Sequence, residues 1–151
     1  MVSTLNMQQK PKPSPPFNHA IHNLDACKAL KGIGDYDDWV VTTAFYSGMK
    51  FLEDTLFPNV YDHPVKHGEQ NEYKSLPAYV RDFGKALGAN KHKIMSDMVE
   101  KNIEDPDVVF SYEDLKQSCH TARYINYQVG QDRVDMAMEA VETIRKFCVS
   151  Q

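Results

Sequence analysis

This 151-residue chain predicts an all-α fold, an antiparallel four-helix bundle with one or two additional helices, and three observations carry that reading. Apolar residues recur at intervals of three and four in one segment after another, which is the period of a helix with one buried face. No segment has the two-residue alternation or the Asn-Gly turn chemistry of strands, and no internal repeat is present. One stretch, Asp35 to Pro58, is apolar over so much of its circumference that it must be contacted from several sides, as the central helix of a bundle is.

Taken in order, residues 1–16 hold Pro11, Pro13, Pro15 and Pro16 among polar side chains. They cannot propagate a helix and have little to bury, so the expectation is a flexible Pro-rich arm ahead of one domain over residues 17–151. Its PxxP-like spacing also fits an SH3-type ligand, although a plain linker accounts for so short a match. From Asn18, a good N-cap, Ala20, Ile21, Leu24, Cys27 and Leu30 form one apolar face until Gly32. Asp35 can cap the next helix, with Asp38 in its first turn and Trp39, Val40, Thr43, Tyr46, Met49, Phe51, Leu52 and Leu56 spread around it. Gly48 within it leaves room for a close neighbour.

The segment after Pro58, NVYDHPVKHGEQ, is polar and interrupted by Pro64 and Gly68, and reads as loop or the ragged start of a helix. Helical spacing resumes at Ser75 with Leu76, Tyr79, Val80, Phe83 and Leu87 and ends at Gly88. Asn90 then precedes Ile94, Met95, Met98, Val99 and Ile103, closed by a turn at Pro106. Ser111 with Asp114 makes a capping-box-like start for a helix running to about Gln128. Asp132 caps the last helix, striped by Val134, Ala137, Met138, Val141, Ile144 and Cys148.

Composition bounds the function. A net charge of −4, from 17 Lys and Arg against 21 Asp and Glu, disfavours broad attraction to nucleic acid and leaves room only for a local basic patch. Cys27, Cys119 and Cys148 are too few and too scattered for a disulfide framework, and are expected as buried free thiols. No apolar run approaches the ~20 residues needed to cross a bilayer. The first residues lack the pattern of a secretory signal, so a cytoplasmic protein without membrane attachment is expected.

Two stretches are more specific. Within WVVTTAFYSGMKFLEDTLF, the residues Asp38, Trp39, Phe45, Tyr46, Ser47 and Glu53 resemble the aromatic-aromatic-small helix of HEPN domains. Within Phe110 to Tyr127, the residues Tyr112, Leu115, Ser118, Ala122, Arg123 and Tyr124 are similar to a pattern in one branch of that superfamily. Asp62 to His67, DHPVKH, echoes a histidine that enters the third helix there. The stretch from Pro77 to Asp107 is longer than that pattern accounts for. The resemblance implies a helical bundle that commonly forms a homodimer, often beside a nucleotidyltransferase or within a toxin-antitoxin pair. Many members are metal-independent RNases that use an arginine followed four to six residues later by histidine. None of Arg81, Arg123, Arg133 and Arg145 has a histidine at that spacing, so the pair does not carry over.

Arg123 and Tyr124 are the sharpest candidates for ligand binding, because a guanidinium forks onto phosphate and a phenol stacks or donates. The competing reading pairs Arg123 with Asp38 or Glu53 and puts Tyr124 in the core. His63 and His67, four residues apart, would share a helix face and join the ligand-binding candidates. With His19, His22 or His120 they could also hold a metal, although Pro64 between them and the lack of a Glu-x-x-His motif argue against it. Lys91, His92 and Lys93, with Arg81 and Lys85 nearby, could touch phosphates, although a run this short, followed by Asp97 and Glu100, reads more simply as a solvated helix face. The leading expectation is a binding or accessory module, without metal or other cofactor, that engages a nucleotide, RNA or partner protein. The alternatives are a divergent RNase using His67 or His120 with Arg123, and a metal-binding bundle.

Overall fold

The computed structural model describes residues 11–151, and these are mostly helical: six helices and one two-stranded hairpin. Four helices are long, α1 (Pro16–Ile33), α2 (Asp37–Leu56), α5 (Pro106–Tyr124) and α6 (Gln131–Val149). Between α2 and α5 the chain inserts strands β1 (Asn59–Asp62) and β2 (Gln70–Tyr73) and the shorter helices α3 (Leu76–Leu87) and α4 (Lys91–Asn102). Residues 1–10 of the expected arm lie outside the described residues. Residues 11–15 have no regular structure, and Pro16 already occupies the first turn of α1, where its missing N–H is no loss. That helix runs one residue past Gly32 and stops at Gly34, whose φ of 86° lets its N–H turn back to the Leu30 carbonyl.

The expected centrality of α2 is realised, since α1, α5 and α6 all pack against it. Val40, Val41, Ala44, Phe45, Met49, Phe51, Leu52 and Leu56 are buried around its circumference. Burial extends to polar groups, which find partners: Ser47 Oγ donates to the Ala20 carbonyl at 2.8 Å, and Thr42 donates to the Asp38 carbonyl. At Gly48 a Cβ would lie 3.0 Å from Ile144 Cδ1 and 3.3 Å from Leu115 Cδ1, so these side chains of α6 and α5 close on the glycine and would have to give by a few tenths of an ångström to admit even a methyl group. Asp35 does not cap the helix: Tyr36 holds that place with no side-chain bond, and Asp37 and Asp38 face the positive end of the helix dipole.

The polar segment after Pro58 is no helix start: residues 63–69 are loop, as expected, but the loop joins the two strands of an antiparallel hairpin that the sequence did not announce, with Asn59 opposite Tyr73 and Asp62 opposite Gln70. Its strands are four residues long and nearly all exposed, so no apolar alternation marks them in the sequence. Aromatic packing holds it to α3. The rings of Phe57, Tyr61, Tyr73, Tyr79 and Phe83 meet edge-on, with centroids 4.7 to 6.2 Å apart.

Caps explain the remaining boundaries. Ser75 accepts from Ala78 N–H and Asn90 from Lys93 N–H, as their positions predict. The α5 start differs from expectation: Asp105 accepts from Asp107 and Val108 N–H and Pro106 takes the first helical position, which leaves Ser111 buried inside the helix. Helix α5 ends at Tyr124, four residues short of Gln128, and α6 begins after Gly130 without a side-chain cap from Asp132. All three cysteines are free, Cys27 and Cys119 buried and Cys148 half-buried. Among the described residues, no helix is long and apolar enough to cross a membrane.

Candidate functional site

Helix α5 carries two faces. Tyr112, Leu115, Cys119 and Ala122 turn into the core, while Glu113, Lys116, His120, Arg123 and Tyr124 recur at helical spacing on the other side. That polar stripe forms one wall of a cleft of about 500 Å³. Phe45 and Tyr46 of α2 line it as well, and the first turn of α4 closes it with Asn90, His92 and Lys93. The volume falls in the range of small-molecule sites.

Arg123 is exposed and lies over Trp39, its Cζ 4.7 Å from the ring centroid. It takes no part in an ion pair among the described residues: the expected partner Glu53 is held instead by Lys50 at 2.9 Å. The pairing of Arg123 with Asp38 or Glu53 is therefore not formed. Tyr124 does not plug the core either; it is 76% exposed, its ring 5.2 Å from that of His120. Trp39, an expected core residue, stays 45% exposed, with the α5 guanidinium over its ring.

Lys116 Nζ donates to the buried Ser96 hydroxyl of α4 at 2.6 Å, and Lys93 Nζ pairs with Asp97 at 2.8 Å. His92 sits with its ring 6.0 Å from Phe45 and 6.5 Å from Tyr46, and its buried Nδ1 has no partner among the described residues. Burial first, then Lys91 and Lys116, holds its pKa below the usual histidine value, so the ring is neutral near pH 7. Burial likewise raises the Tyr46 phenol and the Cys119 thiol. A thiol kept protonated is a poor nucleophile, which leaves Cys119 as wall rather than reagent. Chemically, the cleft sets the cations Lys116 and Arg123 and the carboxylate Glu113 beside the rings of Tyr46, His120 and Tyr124, a lining that suits an anionic group attached to a flat ring.

The structure thus brings three sequence candidates together, His120, Arg123 and Tyr124, and leaves two elsewhere. His63 and His67 do not share a helix face. His63 ends the β1 side of the hairpin, its Nδ1 accepting from Val65 and Lys66 N–H while its ring meets Phe83 edge-on at 4.9 Å. His67 is exposed in the same turn, and neither residue lines the cleft. His19 and His22 are exposed on α1. Among the described residues no group of three or more His, Cys, Asp or Glu gathers as a metal site requires. Lys116 and Tyr46 belong to the cleft without having been singled out as ligand residues in the sequence. The legible signal for Lys116 was its place, with His120 and Arg123, at the four- and three-residue steps of a polar stripe. Lys93 and His92, expected as a solvated face, are turned into the cleft by the start of α4.

Compared with family models, with curated proteins and with solved structures, the chain finds no match.

Proposed function

We propose that this chain is a HEPN-like binding or accessory module that takes a phosphate-bearing ligand, a nucleotide or RNA, in the cleft between α2, α4 and α5. The observation that carries the reading is Arg123: a guanidinium with no carboxylate partner among the described residues, steadied on Trp39 and lining the same cleft as Lys116, His120, Tyr46 and Tyr124. An exposed cation held by an aromatic face stays available to an anion, whereas one held by a carboxylate does not. The four long helices fit the bundle that the sequence resemblance implies, and the reading includes a homodimer and a protein partner such as a nucleotidyltransferase. Isothermal titration calorimetry with nucleoside monophosphates and short single-stranded RNAs tests it. Saturable binding, weakened at least tenfold by Arg123→Ala, is expected; no heat from any of these ligands refutes it.

A second reading has one observation in its favour, the presence of His120 and Arg123 in a single cleft. A histidine beside an arginine can move a proton while the guanidinium stabilises charge building on phosphorus, which is the chemistry of a metal-independent RNase. His67, outside the cleft, has no place in it. On this reading the purified protein cleaves RNA in the presence of a chelator and His120→Ala abolishes cleavage; an intact RNA panel would rule it out.

A further inference from the structure

The two fixed cations of the cleft are tied in different directions. Lys116 and Arg123 stand seven residues apart on α5, about 10 Å along its axis. Lys116 reaches toward α4, where Nζ donates a hydrogen bond to Ser96 Oγ at 2.6 Å, while Arg123 reaches toward the start of α2, where Trp39 carries its guanidinium. The remaining cation of the wall, Lys93, is neutralised by Asp97. One small anion would have to draw Lys116 from Ser96 or Arg123 from Trp39 to engage both. Between them on the helix lies His120, paired with Tyr124, and Tyr46 lines the cleft from α2. Glu113 also lines it, one turn from Lys116, and belongs to no ion pair among the described residues; a carboxylate there accepts from a hydroxyl or amine and opposes any anion beside it, one at Lys116 included.

Resting on the nucleotide reading above, we infer that the ligand is a nucleoside 3′,5′-bisphosphate unit, with separate phosphate anchors at Lys116 and Arg123 and the ring stacked on Tyr46, His120 and Tyr124. The same unit occurs as a free small molecule and as the repeat of a single strand. Stacking supplies affinity without demanding one base, and the two cations set the spacing of the phosphates.

Calorimetric titration of the full chain with adenosine 5′-monophosphate, adenosine 3′,5′-bisphosphate and single-stranded hexaadenylate separates the possibilities. The bisphosphate is expected to bind at least tenfold more tightly than the monophosphate, and Lys116→Ala or Arg123→Ala to remove that advantage. Lys116→Gln, which keeps a donor for Ser96, is the companion variant in case the alanine disturbs α4, and should lose the same advantage. Equal affinity for monophosphate and bisphosphate, or an advantage that survives in these variants, overturns the inference while leaving nucleotide binding in place. Silence from every ligand overturns both. Tighter binding of the hexanucleotide than of the free bisphosphate identifies a strand as the source of the unit, and the reverse order identifies the free molecule; either supports the two-anchor site.

Discussion

Replacing Arg123 by alanine separates a residue that holds the fold from one that serves a ligand. In the structure Arg123 is exposed and its visible attachment is the face of Trp39 at 4.7 Å. An exposed cation–π contact contributes about 0.5–1 kcal/mol. The residue also stands in the last turn of α5, where a positive charge contributes roughly 0.3–1 kcal/mol against the helix dipole. Together these put the loss at about 1–2 kcal/mol, or roughly 2–8 °C in melting temperature for a chain of this size. A buried ion pair would behave differently, costing about 3–5 kcal/mol when one partner is removed. Urea and thermal unfolding of the wild type, Arg123→Ala, Trp39→Leu and the double variant measure both the loss and the coupling. The expected coupling between Trp39 and Arg123 is about 0.5–1 kcal/mol, with ligand binding lost in Arg123→Ala while the fold persists. A loss above about 3 kcal/mol, or no coupling to Trp39, refutes the reasoning that leaves this guanidinium free for an anion.

Two further outcomes follow from packing and from titration. Gly48→Val drives a branched side chain into Ile144 and Leu115 and should cost about 1–3 kcal/mol of unfolding free energy, whereas Gly48→Ala should come closer to neutral because helix propensity returns roughly 1 kcal/mol; a valine variant as stable as the wild type contradicts the close approach of the helices. Burial raises the pKa of Cys27 and Cys119, that of Cys148 to about 11, and those of the Tyr61, Tyr79 and Tyr112 phenols. The unfolded chain therefore releases these protons first, from the ordinary values of about 9 for thiols and 10 for phenols upward. Above about pH 9 it binds fewer protons than the folded chain, so stability is full below that pH and falls as pH rises. Urea midpoints that stay level from about pH 8 to 10.5 would contradict this.

How much was legible varied with the range of the interaction responsible. Ser75, Gly88 and Asn90 mark the bounds of α3 and α4 through bonds within a few residues, and those bounds could be read directly. The α5 start was legible in principle, since Asp105 and Pro106 form a standard N-terminal pair, but Ser111 and Asp114 offered a competing cap that the helix does not use. The hairpin was not legible, because its hold is the meeting of Phe57, Tyr61, Tyr73, Tyr79 and Phe83 across distant positions rather than any pattern along its own strands.

By itself the sequence determined that the chain is mostly helical and that α2 is apolar on several sides, and it held, unread, the helical spacing that sets Lys116, His120, Arg123 and Tyr124 on one polar stripe of α5. Each is a statement about residues within a turn or two of one another, where backbone geometry alone sets which side chains are neighbours. Only the tertiary structure decided what faces that stripe. The packing of α2 on α5 put Trp39 beneath Arg123 and left Glu53 to Lys50, and the start of α4 brought His92 and Lys93 to the cleft while the hairpin kept His63 and His67 away from it. Helix rotation and register are set by the summed burial of whole faces, and that sum is taken over residues the sequence holds far apart.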